Sequence, residues 1–303
     1  MNLSLKIDTV DNISPEDFKR DYFIPQKPLL IKGGLVKQSP ASGKWSIQFI
    51  KEIMGELEVD IYDNKSGNSK YSAYTEGDLR MKFANYVDII TQDKPTDLRM
   101  FLFNGFKYRP GLRKDFPCPS LFKGLLNKVG FMFFGGKGTT VRMHQDMDMS
   151  NVLLTQFVGR KRVVLFDPVY SSLLYRMPFN TFSIVNMEDP DFEKYPGLNY
   201  VKGYDITMEP GDSLFMPSGY WHYITYLEGG FAVSYRKLTS TMASRLQGLC
   251  NLTVLMWLDK LLSKLIPAKW ASYKESLAVD RAERTITDME NIDNVLAAYL
   301  YQR

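Results

Sequence analysis

Histidine and cysteine are scarce in this 303-residue sequence, with two of each. The cysteines, Cys118 and Cys250, stand far apart and neither belongs to a C-x-x-C pair. That excludes a disulfide framework and a zinc knuckle, and makes a reducing compartment the simpler reading. A charge imbalance is also missing: 38 Lys and Arg against 34 Asp and Glu leave a net charge of +4. Such a mild excess makes no case for a nucleic-acid or membrane-surface partner, and neither is expected. Long apolar runs are absent as well. The N-terminal MNLSLKIDTVDNISPEDF meets acidic residues before an apolar stretch develops, so no secretory signal is expected. The most apolar late segment, Leu252 to Ile266, is broken by Asp259, Lys260 and Lys264 and is too short to span a bilayer. These absences lead us to expect a soluble, cytoplasmic protein.

What the chain does contain is 45% hydrophobic residues, 14% of all positions being aromatic. A sizeable core is therefore possible without metal or disulfide staples. Ser14-Pro15-Glu16-Asp17 supplies an N-cap, a proline at the first helical position and an early acid, so a short helix begins there. Pro28 to Lys32 reads as a strand. Trp45-Ser46 opens a second helix whose apolar residues Phe49, Ile50, Ile53 and Met54 follow the helical repeat up to Gly55. Leu57, Val59 and Ile61 alternate with Glu56, Glu58 and Asp60, the pattern of a half-buried strand.

From Leu98 the chain turns to short β-rich runs: Arg99 to Asn104, Phe131 to Phe134, Val152 to Phe157, Arg162 to Phe166, Ser213 to Met216 and Phe231 to Tyr235. Turn residues separate them and no helices of βαβ spacing intervene. A mostly β architecture with flanking helices follows, closed or double-sheeted, a jelly roll being one solution. After Thr239, Met242 through Ile266 reads as a helix with a wide apolar face that another surface must cover. It stops at Pro267, and two more helices are expected, from Trp270 to about Arg284 and from Ile292.

Both histidines fall in the β region. Asp146 lies two positions after His144, which on a strand puts both side chains on one face. His222 follows 78 positions later, after a turn at Glu209-Pro210-Gly211-Asp212 and a second one from Pro217 to Gly219. Two imidazoles and one carboxylate form the facial triad of a non-haem iron(II) site, which leaves coordination positions open for reactants. Taken alone, H-x-D is common by chance, and a histidine is more often a surface or hydrogen-bonded core residue than a ligand.

The context carries more. GTTVRMHQD, then QFVGRKRVVLFDP, then NMEDPDFEKYPGLNYVKGYDITMEPGDSLFMPSGYWHYI resembles the cupin-like JmjC oxygenases. Within them it is similar to the branch containing asparaginyl hydroxylases that inhibit hypoxia-inducible factor. The likeness runs from about Phe131 to Arg236, with an early PLLIKGG…W…FIKEIMG layout also similar. It implies a double-stranded β-helix over about 129–237, with flanking elements over about 1–128. Residues 238–303 would add helices that, in related hydroxylases, commonly pair two subunits as a homodimer.

The resemblance further implies iron(II) held by His144, Asp146 and His222, with 2-oxoglutarate as cosubstrate. Lys161 matches the lysine that reaches the far carboxylate of 2-oxoglutarate, a role suited to a fixed cation. Asn151 and Ser234 stand near positions of inward-facing asparagines. The hydroxyl residue often found three before the first histidine is here Val141. Its neighbour Thr140 is the nearest candidate, although one step along a strand points to the opposite face. A tyrosine contact is replaced by Phe101. Arg142, two before His144, is a candidate second cation.

From His144 to Lys161 is 17 positions, two more than the pattern usually has, so the loop Met147 to Ser150 is expected to be longer. Tyr170, Tyr175, Tyr220 and Phe179 are candidates for the mouth. The implied activity is hydroxylation of a protein or peptide side chain with release of succinate and CO2. Alternatives are a hydroxylase of a small molecule or free amino acid, a non-catalytic metal-binding cupin, and a zinc hydrolase or isomerase. The lack of a third histidine counts against the last.

Overall fold

The computed structural model of the chain describes residues 1–65, 77–126 and 129–301, with 293–301 described by backbone alone. Both early helices start where the capping residues lie. The Ser14 side chain accepts from the Asp17 N–H at 3.0 Å, and that of Ser46 accepts from the Phe49 N–H at 3.0 Å. The second of these helices, Ile47–Met54, buries Ile50 and Met54 and ends at Gly55.

Six strands precede the barrel: β1 (Asn2–Leu5), β2 (Asp8–Val10), β3 (Leu29–Ile31), β4 (Glu58–Asp63), β5 (Leu79–Lys82) and β6 (Leu98–Phe103). Eight more build it: β7 (Gly130–Gly135), β8 (Thr140–His144), β9 (Asn151–Val158), β10 (Lys161–Phe166), β11 (Lys202–Met208), β12 (Ser213–Met216), β13 (Trp221–Tyr226) and β14 (Gly230–Lys237). One sheet has the order β1-β11-β10-β13-β8, the other β2-β3-β12-β9-β14-β7-β6-β4-β5. The four barrel strands of each sheet pair antiparallel and face the other four, which is the double-stranded β-helix. The N-terminal strands lengthen both sheets.

Strand alternation sorts the side chains. In β10 and β13, Lys161 pairs with Tyr226, Val163 with Ile224 and Leu165 with His222. These turn inward. Their neighbours Val164, Phe166, Trp221 and Tyr223 turn outward and are buried beneath Leu173, Leu174, Tyr175, Tyr195 and Leu198 of the long excursion between β10 and β11. Burial on both faces explains why Val163 to Phe166 reads as an unbroken apolar run. The larger sheet packs its outer face on the N-terminal segment, with Phe18 edge-on to Phe215 at 4.9 Å and Trp45 against Phe157 at 4.7 Å.

The barrel interior has a filled side and an open side. Leu30, Val163, Leu165, Ile206, Met208 and Leu214 close it towards β3, β11 and β12. Towards β7, β8 and β6 it opens into a cavity of about 440 Å³.

The C-terminal region differs from expectation in one respect. Met242–Cys250 and Met256–Leu265 are joined by a π-helical stretch, Asn251–Leu255, but one helix, Pro267–Tyr301, replaces the two expected beyond it. No glycine or proline interrupts it, and Thr285 and Thr287 return their hydroxyls to the carbonyls four residues back. Buried Asp259 accepts from Trp270 Nε1 at 2.8 Å and Lys274 Nζ at 2.6 Å, which locks the long helix to its predecessor. Among the described residues, no helix is long and apolar enough to cross a membrane.

Candidate metal centre and cosubstrate cavity

His144 ends β8 and lies directly opposite His222 of β13. Their ring centres are 4.1 Å apart. Asp146 sits beyond the end of the strand, so it does not reach the site by alternation as expected. It arrives on a loop held by the Gln145 N–H, which donates to Thr181 O at 2.9 Å. Ligand atoms of His144, Asp146 and His222 lie within 4.8 Å of one another, the size of a mononuclear metal site.

The protonation states suit ligation. Each imidazole turns Nδ1 to a backbone carbonyl, His144 to Arg142 O at 2.9 Å and His222 to Tyr220 O at 3.2 Å. A carbonyl only accepts, so Nδ1 carries the proton and Nε2 keeps its lone pair. Burial, and then the charge of its partner imidazole, pushes His144 down to about 3. Burial also lowers His222. For Asp146 burial acts upward, but the charge of the Arg236 guanidinium and its hydrogen bond lead the opposing effects that hold the carboxyl well below its usual range. Two neutral imidazoles and one carboxylate therefore share a pocket at neutral pH.

Arg236 of β14 is a residue that reading the sequence missed. Its Nη2 donates to Asp146 Oδ1 at 3.1 Å, and its Nη1 to Asp148 Oδ1 at 3.0 Å and Ser150 Oγ at 3.0 Å. The longer loop from Met147 to Ser150 is thus tied to the ligand's own counter-ion. Arg236 lies two residues after Ser234, so strand alternation alone places both on one face. Tyr226, four after His222 on β13, is found by the same rule.

Across the cavity, Lys161 is 1% exposed, and its Nζ lies 4.2 Å from the centre of the Tyr226 ring. Burial pushes it down to about 7. A cation with that much desolvation and no carboxylate beside it among the described residues awaits an anion. Two further buried polar atoms, Ser234 Oγ and Gln145 Oε1, line this cavity without a hydrogen-bond partner. Donor set, volume and buried lysine together fit a metal ion with a small dicarboxylate.

Two candidate cosubstrate contacts lie elsewhere. Thr140 turns away from the cavity and donates to Glu188 Oε1 at 2.6 Å, because Val141 occupies the inward place opposite Ile224. Asn151 is fully buried at the start of β9, accepting from the Ser218 N–H at 3.0 Å and facing Lys237 O. Its amide thus clamps backbone at the start of the strand. Arg142 does border the cavity, but at its exit: its guanidinium carbon stands 3.6 Å above the Phe182 ring, which in turn stacks on His144 at 5.6 Å. Tyr170, Tyr175, Tyr220 and Phe179 do not form the mouth. Tyr175 and Tyr220 are core residues, and Phe179 packs on Trp270.

Beyond Arg142 and Phe182 a groove of about 730 Å³ continues outward. The C-terminal helices also take part. Leu252 lines the cavity, Asn251 Nδ2 donates to Met147 O at 3.0 Å, and Gly248 lies so close to Asp148 O that a Cβ would meet it at 2.3 Å.

A double-stranded β-helix with two histidines and one carboxylate turned into its open side defines a cupin with a candidate metal centre. The chain belongs to the cupin-like domain family, whose model matches residues 15–242. It is similar to lysine-specific demethylase 8 of Xenopus tropicalis, 28% identical over 235 residues, which is 73% of this chain and 50% of that protein. It is also similar to tRNA wybutosine-synthesizing protein 5 of Homo sapiens, 27% identical over 247 residues, 76% of this chain and 77% of that protein. JmjC domain-containing protein D of Dictyostelium discoideum is 27% identical over 250 residues, 73% of this chain and 53% of that protein. The chain thus spans about half the length of the first and third of these and about three quarters of the second.

Proposed function

We propose that the protein is an iron(II)- and 2-oxoglutarate-dependent oxygenase that hydroxylates a protein or peptide side chain, with release of succinate and CO2. The observation that carries this reading is a single cavity holding two neutral imidazoles, one ionised carboxylate and, on its far wall, a buried lysine with no carboxylate beside it among the described residues. Iron(II) in such a three-ligand site, with 2-oxoglutarate and oxygen, supplies the oxidising power to insert oxygen into a C–H bond. His144, Asp146 and His222 would hold the metal and leave one face open. Lys161 would hold the distal carboxylate of 2-oxoglutarate. Arg236 keeps Asp146 ionised and engages one of its oxygens. Val141, Phe182 and Leu252 supply apolar wall around the centre and exclude water.

The groove supports a substrate larger than a free amino acid. Its described lining has five carboxylates, Asp63, Asp78, Asp97, Glu188 and Glu275, against the cations Lys65, Arg99, Arg142 and Lys194. That balance suits a peptide better than a phosphate backbone, which calls for an excess of cations. Two free cysteines, Cys250 exposed, support a cytoplasmic setting. Leu246, Leu249, Trp257, Leu261 and Leu265 leave an exposed apolar face along the C-terminal helices, and a second copy of the chain is the occupant we propose for it. Sedimentation at micromolar concentration should then give a dimer.

The activity is tested by incubating the protein with iron(II), 2-oxoglutarate and air. Succinate above the level of a His144→Ala variant is expected, together with a 16-Da mass gain in a peptide of a proteome-derived library. Equal succinate from both proteins would refute the reading.

A further inference from the structure

Arg99 stands on β6, the strand that extends the larger sheet past β7, and lines both the cavity and the outer groove. The pairing of β6 with β7 slips between Met100 and Phe103, where Leu102 has φ +53°. A bulge of this kind re-aims neighbouring side chains, and a leucine in left-handed backbone costs stability. Here Arg99, Phe101 and Leu102 all border the cavity.

The guanidinium is held in place. Its Nε donates to Asn64 Oδ1 at 2.8 Å, and its central carbon lies 4.7 Å from the centre of the Phe101 ring. Its two Nη atoms have no protein acceptor among the described residues, and no carboxylate there lies within ion-pair distance. Among the described residues, this half-buried cation therefore keeps its Nη donors for something else.

Its place relative to Lys161 suggests what that is. Arg99 pairs with Gly135 across β6 and β7. The Tyr226 ring fills the space a side chain at Gly135 would take, 2.8 Å from where its Cβ would lie. Lys161 Nζ sits over the same ring. The strand of one cation runs beneath Tyr226 and the other cation lies over it. Arg99 and Lys161 both line this cavity. Val141 and Phe101, which also border the cavity, are apolar and offer it no side-chain donor. A carboxylate offers two oxygens and about four lone pairs, more than one lysine satisfies.

We infer that Arg99 holds, together with Lys161, the distal carboxylate of the 2-oxo acid bound in this cavity. This rests on the function proposed above. A planar guanidinium fixed through Nε and an aromatic face presents its outer nitrogens as a fork, the geometry that suits a carboxylate.

The test measures binding to manganese(II)-loaded protein by calorimetry, with 2-oxoglutarate and with 2-oxobutyrate, which lacks the distal carboxylate. Arg99→Gln should weaken 2-oxoglutarate about 10- to 100-fold while leaving 2-oxobutyrate and manganese affinities within about threefold. Arg99→Lys should recover part of the loss, since it keeps the charge without the fork. Unchanged 2-oxoglutarate affinity in Arg99→Gln would overturn the inference. So would equal weakening of both acids, which would mean a general disturbance of the site. Arg99→Gln that keeps its 2-oxoglutarate affinity yet loses succinate formation would assign the cation to the other substrate, and also overturn it. If wild-type protein bound manganese but neither acid, the functional reading itself would fall, a result distinct from any of these.

Discussion

The two sides of the barrel interior are built from the same strands and do opposite work. On β10, Val163 and Leu165 fill the closed side with zero exposure, while Lys161 on the same face carries a buried charge into the open side. The closed side stabilises: each buried aliphatic side chain contributes about 1.5–3 kcal/mol relative to exposure. The open side costs. It keeps a desolvated cation, a cluster of titratable groups and two unpartnered polar atoms where an apolar filling would pack. A strand pattern can therefore set the fold without setting the site, and substitutions on the two sides should separate stability from binding.

The largest separation is expected at the ligands. His144→Ala should weaken metal affinity by more than about 100-fold, measured by calorimetry with manganese(II), while the melting temperature stays level or rises. Loss of the fold would mean that the open side is structural after all. The converse change is Leu214→Ala on the closed side. It should cost about 2–5 kcal/mol in urea unfolding and leave the metal affinity of the folded protein unchanged.

Arg236→Met lies between these cases, because it removes a positioning partner of Asp146. Metal affinity should fall about 10- to 100-fold, and the variant should bind metal more weakly as pH falls than wild type does, since its carboxylate is easier to protonate.

Lys161→Met gives the smallest and most diagnostic effect. The variant should be more stable by on the order of 1–3 kcal/mol at pH 7 and should have a reduced preference for 2-oxoglutarate over 2-oxobutyrate. The pH dependence has a definite sign. Lysine titrates near 10.5 when unfolded and near 7 here, so between those values the unfolded chain binds more protons. Stability of the unliganded protein rises with pH across that window. Affinity for 2-oxoglutarate runs the other way, because the protonated amine is the binding form. It should fall about tenfold from pH 6 to pH 8, and Lys161→Met should flatten that profile.

Legibility in the sequence follows the range of the interactions. His144, Asp146 and His222 stand out because metal ligands are restricted to few residue types and only two histidines exist. Lys161 stands out through Gly159, whose φ of +73° and close approach of Gly229 O leave no room for a side chain. Thr140 faces away from the cavity, as its place one step along the strand from Val141 dictates, and Asn151 turns to backbone instead, a facing that depends on register. Arg236 and Tyr226 were within reach of simple alternation once their strands were recognised. The contributions of Asn251, Gly248 and Leu252 were not, because nothing local in a helix announces which loop it will cover. The sequence therefore separated the C-terminal helices from the site they help to wall. The long helix from Pro267 was read as two for a related reason: a polar stretch around Thr285 looks like a break until its packing is known.

The central claim is that His144, Asp146, His222 and Lys161 form one site for iron(II) and 2-oxoglutarate. Anaerobic titration tests it directly, by following the visible charge-transfer absorption of an iron(II) chelate of a 2-oxo acid. Wild-type protein should develop the band only when both components are present. His144→Ala should show none, and Lys161→Met should require far more 2-oxoglutarate to reach it. Wild-type protein without a band at saturating iron and 2-oxoglutarate, or a His144→Ala variant with the wild-type band, would contradict the account.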